Sequence, residues 1–305
     1  MENNNVKDGE ILFLYEAKLT NPNGDIDDEN RPRMDYDTFT NLVSDVRLKR
    51  YIRDYLQDDL SEDKYNIFIN HGDVQTAKDR LMEIVSDDIF KDIKKARDAI
   101  TQKFIDIRMF GAMVPIPKKG NNSGESGSGD SIKIIGPVQF SWGYSLNKVQ
   151  LLNSYSITSG FSSSEGNKMN SIGKDYRVYY SLIGFYGVIS SSRAKKANLT
   201  SEDMRKLDDA MIKAIPSQAT RSKINQMPLL YMRTESENGF IGDLRDYVKI
   251  SIKSDPIRNI NDYKLDINDL ISTLKSRDIK IAKSFVHEKL DCENKDGIKN
   301  ISNDD

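Results

Sequence analysis

LTNPNGDIDDENRPRMDYDTFTNLVSDVRLKRYIRDYL, residues Leu19 to Leu56, is the stretch from which the rest of the chain can be read. The alternating run ILFLYEAKL before it, Ile11 to Leu19, predicts a strand, and Asn21-Pro22-Asn23-Gly24-Asp25 ends it. Pro22 lacks a backbone donor and Gly24 can adopt positive φ, so a shaped turn is expected here. A polar loop then carries Arg31 and Arg33 around Pro32, and a helix follows that Ser44 can cap. Leu48, Tyr51, Ile52, Tyr55 and Leu56 fall at helical spacings and form one apolar face. Lys49, Arg50 and Arg53 are predicted on the opposite, solvent-facing side, with Arg47 on a flank.

A basic outer face on an amphipathic helix has a plain explanation, solvation, and a functional one, a polyanion. The adjoining loop, with its asparagines, its glycine and two more arginines, favours the second. The wording NPNGD…NRPR…SDVRLKRYIRDY resembles the backbone subunit of type I CRISPR surveillance complexes (Cascade), the seventh Cas family, in the branch of types I-B and I-C. That resemblance implies an RRM-like palm that binds guide RNA, with Asn21, Asn23, Arg31, Arg33, Arg47, Lys49, Arg50 and Arg53 as ligands. It further implies copies of the same chain along the guide, other Cascade subunits, and target DNA reached through the guide. No cofactor is expected.

The chain has 305 residues, 37% hydrophobic and 30% charged, with a net charge of −2. Such a length fits about two domains, or one domain with large insertions, and the reading adopted is one RRM-like domain. The net charge excludes a uniformly basic nucleic-acid coat, so an RNA site must be local, with acids segregated elsewhere. The lone Cys292 excludes an intrachain disulfide and a multi-cysteine zinc site and fits a cytoplasmic protein. The start, MENNNVKDGE, does not read as a signal peptide. The longest mostly apolar run, Val178 to Ile189, is too short to span a bilayer, so no membrane is expected among the partners.

Residues 60–131 read as an inserted helical layer and a loop. A short strand is expected over Tyr65 to Ile69. An apolar stripe then runs through Leu81, Val85, Ile89, Phe90, Ile93, Ile100 and Phe104, with a second helix start at Ser86 or Asp87. The following Asp106-Ile-Arg-Met-Phe-Gly111 is again wording the family uses. Arg108 therefore reads equally as an RNA or subunit contact and as a partner for Asp106. Lys118 to Ser131 is Gly/Ser-rich, lacks apolar residues and is expected to be a mobile loop. Ile132 to Leu146 reads as one strand, irregular at Gly136-Pro137, with Trp142 in the core; Gly136 to Gln139 is also family wording.

Residues 153–176 are rich in Ser, Asn and Gly, with isolated Phe161, Met169 and Ile172 and the cations Lys168 and Lys174. A floppy hairpin loop and a protruding arm that uses those residues on a partner are the two readings, and the isolated apolar residues favour the arm. By resemblance the arm is the family's β-hairpin thumb, which crosses the neighbouring subunit and wedges into the RNA. Phe161, Lys168 and Met169 would then be contacts. A strand over Arg177 to Ile189 and a helix from Thr200, stopped by Pro216, come next. Arg221 and Lys223 precede a last strand over Pro228 to Thr234. Without the insertions the order is β-α-β-β-α-β, an α+β fold of the ferredoxin-like or RRM kind. Residues 235–305 are a less legible extension with an acidic tail. Within it Tyr247 to Ile252 reads as a strand, whereas Ile267 to Leu274 and Ile279 to Leu290 fit either helix or strand.

His71 and His287 stand in unrelated contexts, and no nucleotide-binding or hydrolase motif is present. The acidic loop from Asp25 to Asp37 supports a solvated surface and, as the alternative function, a metal-dependent ribonuclease using Asp25, as in type III relatives. A protein–protein assembly module is the third reading. The resemblance favours a non-enzymatic scaffold.

Overall fold

Gly9–Thr20 forms β1, and the two sides of this strand belong to different cores. Ile11, Phe13, Tyr15 and Ala17 face a helical layer, whereas Leu12 and Leu14 face the opposite one. The computed structural model describes residues 6–59, 66–71, 76–82, 92–115, 131–162, 170–237, 239–299 and 301. After β1, the ladder of β2 (Gly24–Asp25) with β3 (Arg31–Pro32) closes the polar loop, and β4 (Met34–Asp35) pairs with β5 (Thr40–Val43). α1 (Asp45–Asp59) starts where expected: Ser44 Oγ accepts from the Arg47 N–H at 3.3 Å. Leu48, Tyr51, Ile52 and Leu56 sink into the sheet-side core, with Tyr55 half-buried at its margin.

The inserted layer comprises α2 (Ala77–Met82), α3 (Ile93–Lys103), α4 (Ile105–Phe110), β6 (Gly111–Pro115) and β7 (Ser131–Ile135). It has its own core around Leu81, Ile100, Phe104, Ile107 and Ile132. Asp92 caps α3, and Ile93 points to solvent instead of into the stripe; the helix start expected at Ser86 or Asp87 lies outside the described residues. The strand expected at 65–69 is a single bridge between Asn66 and Phe104. Residues 116–130, most of the predicted mobile loop, lie outside the described residues, as do Val85, Ile89 and Phe90.

The strand expected over 132–146 is in fact three. β7 pairs with β6, while β8 (Val138–Phe140) and β9 (Gly143–Ser145) join the central sheet. The break has a steric cause. The backbones at Phe110-Gly111 and Gly136 press together so closely that a Cβ on Gly136 would collide with main-chain atoms, and Gly111 holds φ at 80°. The two phrases ending in Gly111 and starting at Gly136 thus meet in space, and Gln139 Nε2 donates to the Phe110 carbonyl at 3.3 Å. Trp142, expected in the core, is 48% exposed.

Among the described residues β10 (Ser156–Ser162) and β11 (Asn170–Lys174) pair only with each other. β12 (Val178–Ile189), α5 (Ser191–Ala197), α6 (Ser201–Ser217) and β13 (Gln226–Glu235) complete the palm. Thr200 and Asp203 form the expected capping box of α6, which runs one residue past Pro216. The C-terminal region adds β14 (Lys249–Ile252), β15 (Tyr263–Asp266), α7 (Asn268–Ser276), β16 (Lys280–Val286), β17 (Cys292–Glu293) and α8 (Lys295–Lys299). In the main sheet the strand order is β16-β13-β1-β12-β9-β5-β4, with β8 also on β12. At its heart, β13-β1-β12-β8/β9 with α1 and α6 on one face is the ferredoxin-like arrangement that the β-α-β-β-α-β order predicts.

β16 extends that sheet beside β13, and β14, β15 and β17 form a small sheet of their own. The C-terminal layer buries Leu12, Leu14, Leu182 and Met232 under Leu244, Leu265 and Leu270. The sheet face that an RRM offers to RNA is therefore covered by the chain itself. Among the described residues no helix is long and apolar enough to cross a membrane.

Candidate nucleic-acid interface

With the flat face covered, cations gather at the end of β1. The polar loop 21–33, the first turn of α1, the turn before β13 and the foot of the β10–β11 hairpin all meet there. Asn21 is buried; its Nδ2 donates to the Asn30 carbonyl at 2.7 Å and its backbone N–H to Ser222 O at 3.0 Å. Asn23 Oδ1 accepts from Ser44 N and Oγ at 2.9 and 3.0 Å, fastening the loop to the start of α1. Both asparagines are thus internal fasteners of the rim. Gly24 does not take positive φ; a Cβ there would collide with the Asn30 side chain.

Arg31 lies 4.7 Å over the Tyr176 ring and within 3.7 and 3.8 Å of Asp28 and Glu29. Arg33 Nη1 donates to Asp25 Oδ2 at 3.0 Å. Both arginines keep a buried Nε without a hydrogen-bond partner. Glu29 also accepts from Lys174 at 2.6 and 2.7 Å and from Tyr176, and these bonds hold its carboxyl below the usual range. The hairpin foot is thereby tied to the loop. Asp175 completes the tie by binding Arg177 at 2.8 Å and Arg221 at 3.0 Å.

The helix cations depart from expectation. Lys49 and Arg53 do not project into solvent but are 8% and 7% exposed. Lys49 Nζ pairs with Asp45 at 3.0 Å, and Arg53 Nε donates to Asp106 Oδ2 at 2.9 Å. Both also lie against the Phe110 ring, at 5.7 and 5.2 Å. Arg50 is half-buried, paired with Asp54 and donating to the Ile69 carbonyl at 3.0 Å. The cause is the inserted layer, which packs on the side of α1 that local periodicity assigns to water. Arg108 is 3% exposed, and its Nε and Nη2 grip Asp203, not Asp106, at 2.9 and 2.7 Å.

Arg47 stands apart. Its guanidinium lies 3.9 Å over the Tyr51 ring, its Nε is buried without a partner, and it forms no ion pair among the described residues. Beside it is Lys223, whose ammonium donates to the Asn21 carbonyl oxygen. Burial and the charge of Arg47 push the Lys223 ammonium down to about 8. Sequence alone gives Lys223 no role beyond preceding a strand, because only the fold brings position 223 against position 21. In the hairpin, Phe161 lies on β10, whereas Lys168 and Met169 lie outside the described residues.

Residues 7–268 match the family model described as CRISPR-associated protein Cas7. A CRISPR-associated protein Cas7 of Haloferax volcanii is 33% identical over 283 residues, 87% of this chain and 82% of that protein. The chain belongs to the Cas7 family. Its fold is similar to that of a chain in a CRISPR RNA-guided surveillance complex, with a TM-score of 0.51 at 12% identity, covering 98% of this chain and 95% of the other. The family match spans the palm, the inserted layer and the hairpin, so the rim around Arg47 lies wholly within Cas7 sequence. Among the described residues of this Cas7 chain, no three His, Cys, Asp or Glu side chains are grouped to hold a metal ion.

Proposed function

We propose that this Cas7 chain is the repeated guide-RNA-binding subunit of a type I CRISPR surveillance complex, holding the RNA by its phosphates along the rim at the end of β1. The observation that carries this is the Arg47–Lys223 pair, two adjacent cations without a carboxylate partner among the described residues. Phosphate contacts position RNA without reading its sequence, as a scaffold for variable guides requires. Target sequence would be read by pairing with the guide. Arg31 and Arg33 extend the grip, Asn21 and Asn23 shape it, and the β10–β11 hairpin is the thumb that reaches the next copy. Lys49, Arg53 and Arg108 stabilise the palm and are not ligands in this reading; Arg50 anchors residues 69–70.

Arg31→Ala with Arg47→Ala should weaken binding of unrelated single-stranded RNAs alike, about tenfold for each arginine replaced. The slope of log K against log salt should fall by about 0.7 for each phosphate no longer neutralised. Fluorescence anisotropy across a salt series measures both; unchanged affinity and slope would remove the rim from the site.

The ribonuclease reading is disfavoured because Asp25 already spends Oδ2 on Arg33 and Oδ1 on the Asp27 N–H, at 3.0 and 3.3 Å. Asp25→Ala in a reconstituted complex should leave the RNA products unchanged, with or without Mg²⁺ or Mn²⁺. Site-specific cleavage of target RNA by the wild type, absent from the variant, would establish Asp25 as catalytic instead.

A further inference from the structure

The palm neutralises its buried cations pair by pair: Arg53 with Asp106, Arg108 with Asp203, Arg233 with Asp208, Arg245 with Asp243. Arg47 and Lys223 break that habit. Their charges repel, in a place desolvated enough for the repulsion to be felt. The Tyr15 hydroxyl, within range of the Arg47 charge, is buried without a hydrogen-bond partner among the described residues. Two cations without a carboxylate among the described residues, with orphaned donors including Arg47 Nε, form an anion site.

Among the described residues no neighbouring group supplies the missing charge. From α1 Lys223 faces Arg47, and from the end of β1 it faces the neutral Asn21 carbonyl. From β13 it meets Gln226, whose Nε2 donates to the Lys223 carbonyl oxygen at 3.1 Å. In its own turn Arg221 is occupied by Asp175, which Arg177 also holds. Tyr15, a phenol within range of the Arg47 charge, stays neutral, because burial raises it well above its ordinary value.

We propose that Arg47 and Lys223 form a proton-coupled phosphate site, in which a backbone phosphate of the bound RNA docks between the two cations and Lys223 takes up a proton as it docks. This rests on the RNA-binding reading above and adds to it a residue and a pH response. The sign follows from the free state. With Lys223 brought down to about 8, it is charged below that pH and is largely neutral a unit above it. A docked phosphate favours the charged form and raises Lys223 again, so binding consumes a proton in this window. Affinity should be flat below about pH 7.5 and should fall about tenfold by about pH 9.

The test measures binding of a single-stranded RNA of arbitrary sequence at about pH 7 and pH 9 and constant ionic strength, with thermal melts at both pH values to confirm folded protein. Calorimetry in two buffers of different ionisation enthalpy counts the proton directly. Wild type should lose about tenfold in affinity and show proton uptake near pH 8.5. Lys223→Arg, charged throughout, and Lys223→Met, never charged, should each have a flat profile whatever their absolute affinity. RNA bound equally at both pH values, or a Lys223→Arg profile as steep as wild type, overturns the proposal while leaving RNA binding intact. No RNA binding at pH 7 removes both readings.

Discussion

Arg108→Ala should lower the unfolding free energy by about 3–5 kcal/mol, a large share of the stability of an ordinary domain. Arg108 is buried in a site where every donor has a partner. Two of its nitrogens clamp Asp203, and Nη1 donates to the Thr101 and Gln102 carbonyls at 2.6 and 3.2 Å near the end of α3. Asp203 in turn closes the capping box of α6, accepting from Thr200 N at 2.9 Å. Removing the guanidinium leaves a fully buried carboxylate with no counter-charge and frees the carbonyls it bound. One residue therefore joins the inserted layer to the palm's second helix. Chemical denaturation should show the loss as a lower midpoint, and the RNA affinity of the remaining folded fraction should match wild type. A variant that melts normally but no longer binds RNA would make Arg108 a ligand after all.

The contrast with Arg47→Ala separates what sequence reveals from what only the fold does. Local periodicity finds α1, its Ser44 cap and its buried face, because those depend on neighbours three and four residues away. It also finds the β-α-β-β-α-β order, because each palm strand carries its own alternation. It assigns the far side of α1 wrongly to solvent, because the cover arrives from Asp106 and Phe110, more than fifty residues downstream. The same limit hides Lys223, whose context is the end of β1. Covering of the sheet's second face is equally invisible: residues 235–305 carry weak local patterning, and their apolar positions make sense only against Leu12 and Leu14. Family wording cannot sort these roles either. Both the phrase with Asp106 and Arg108 and the phrase starting at Gly136 take part in packing: Arg108 grips Asp203, and Gly136 presses on the Phe110 backbone.

Replacing residues 157–173 with a short Gly/Ser turn should leave a folded palm that no longer binds long RNA cooperatively. Among the described residues β10 and β11 pair only with each other, so their loss takes no ladder pairing from the central sheet. The cut spares the foot, where the structure places real contacts. Tyr155 and Tyr176 rings lie 4.6 Å apart, Asp175 N–H donates to the Tyr155 carbonyl at 2.7 Å, and Lys174 holds Glu29. A cut from 155 to 175 would break these ties and disturb the loop that carries Arg31. With the foot intact, melting should stay within about 1 kcal/mol of wild type, since the pairing described for β10 and β11 is with each other. Affinity for an oligonucleotide covering one subunit should fall only modestly, because Arg31, Arg47 and Lys223 remain. On long RNA the change should be large. If each hairpin bridges to the next copy, removing it converts linked binding into independent binding, and the gain from effective concentration, of order a hundredfold or more, disappears. Nuclease footprinting on long RNA should lose its regular repeat, and electron microscopy should show isolated particles in place of filaments. Cooperative arrays with an unchanged footprint would mean that the hairpin is a surface loop and that neighbouring copies meet through the palm alone.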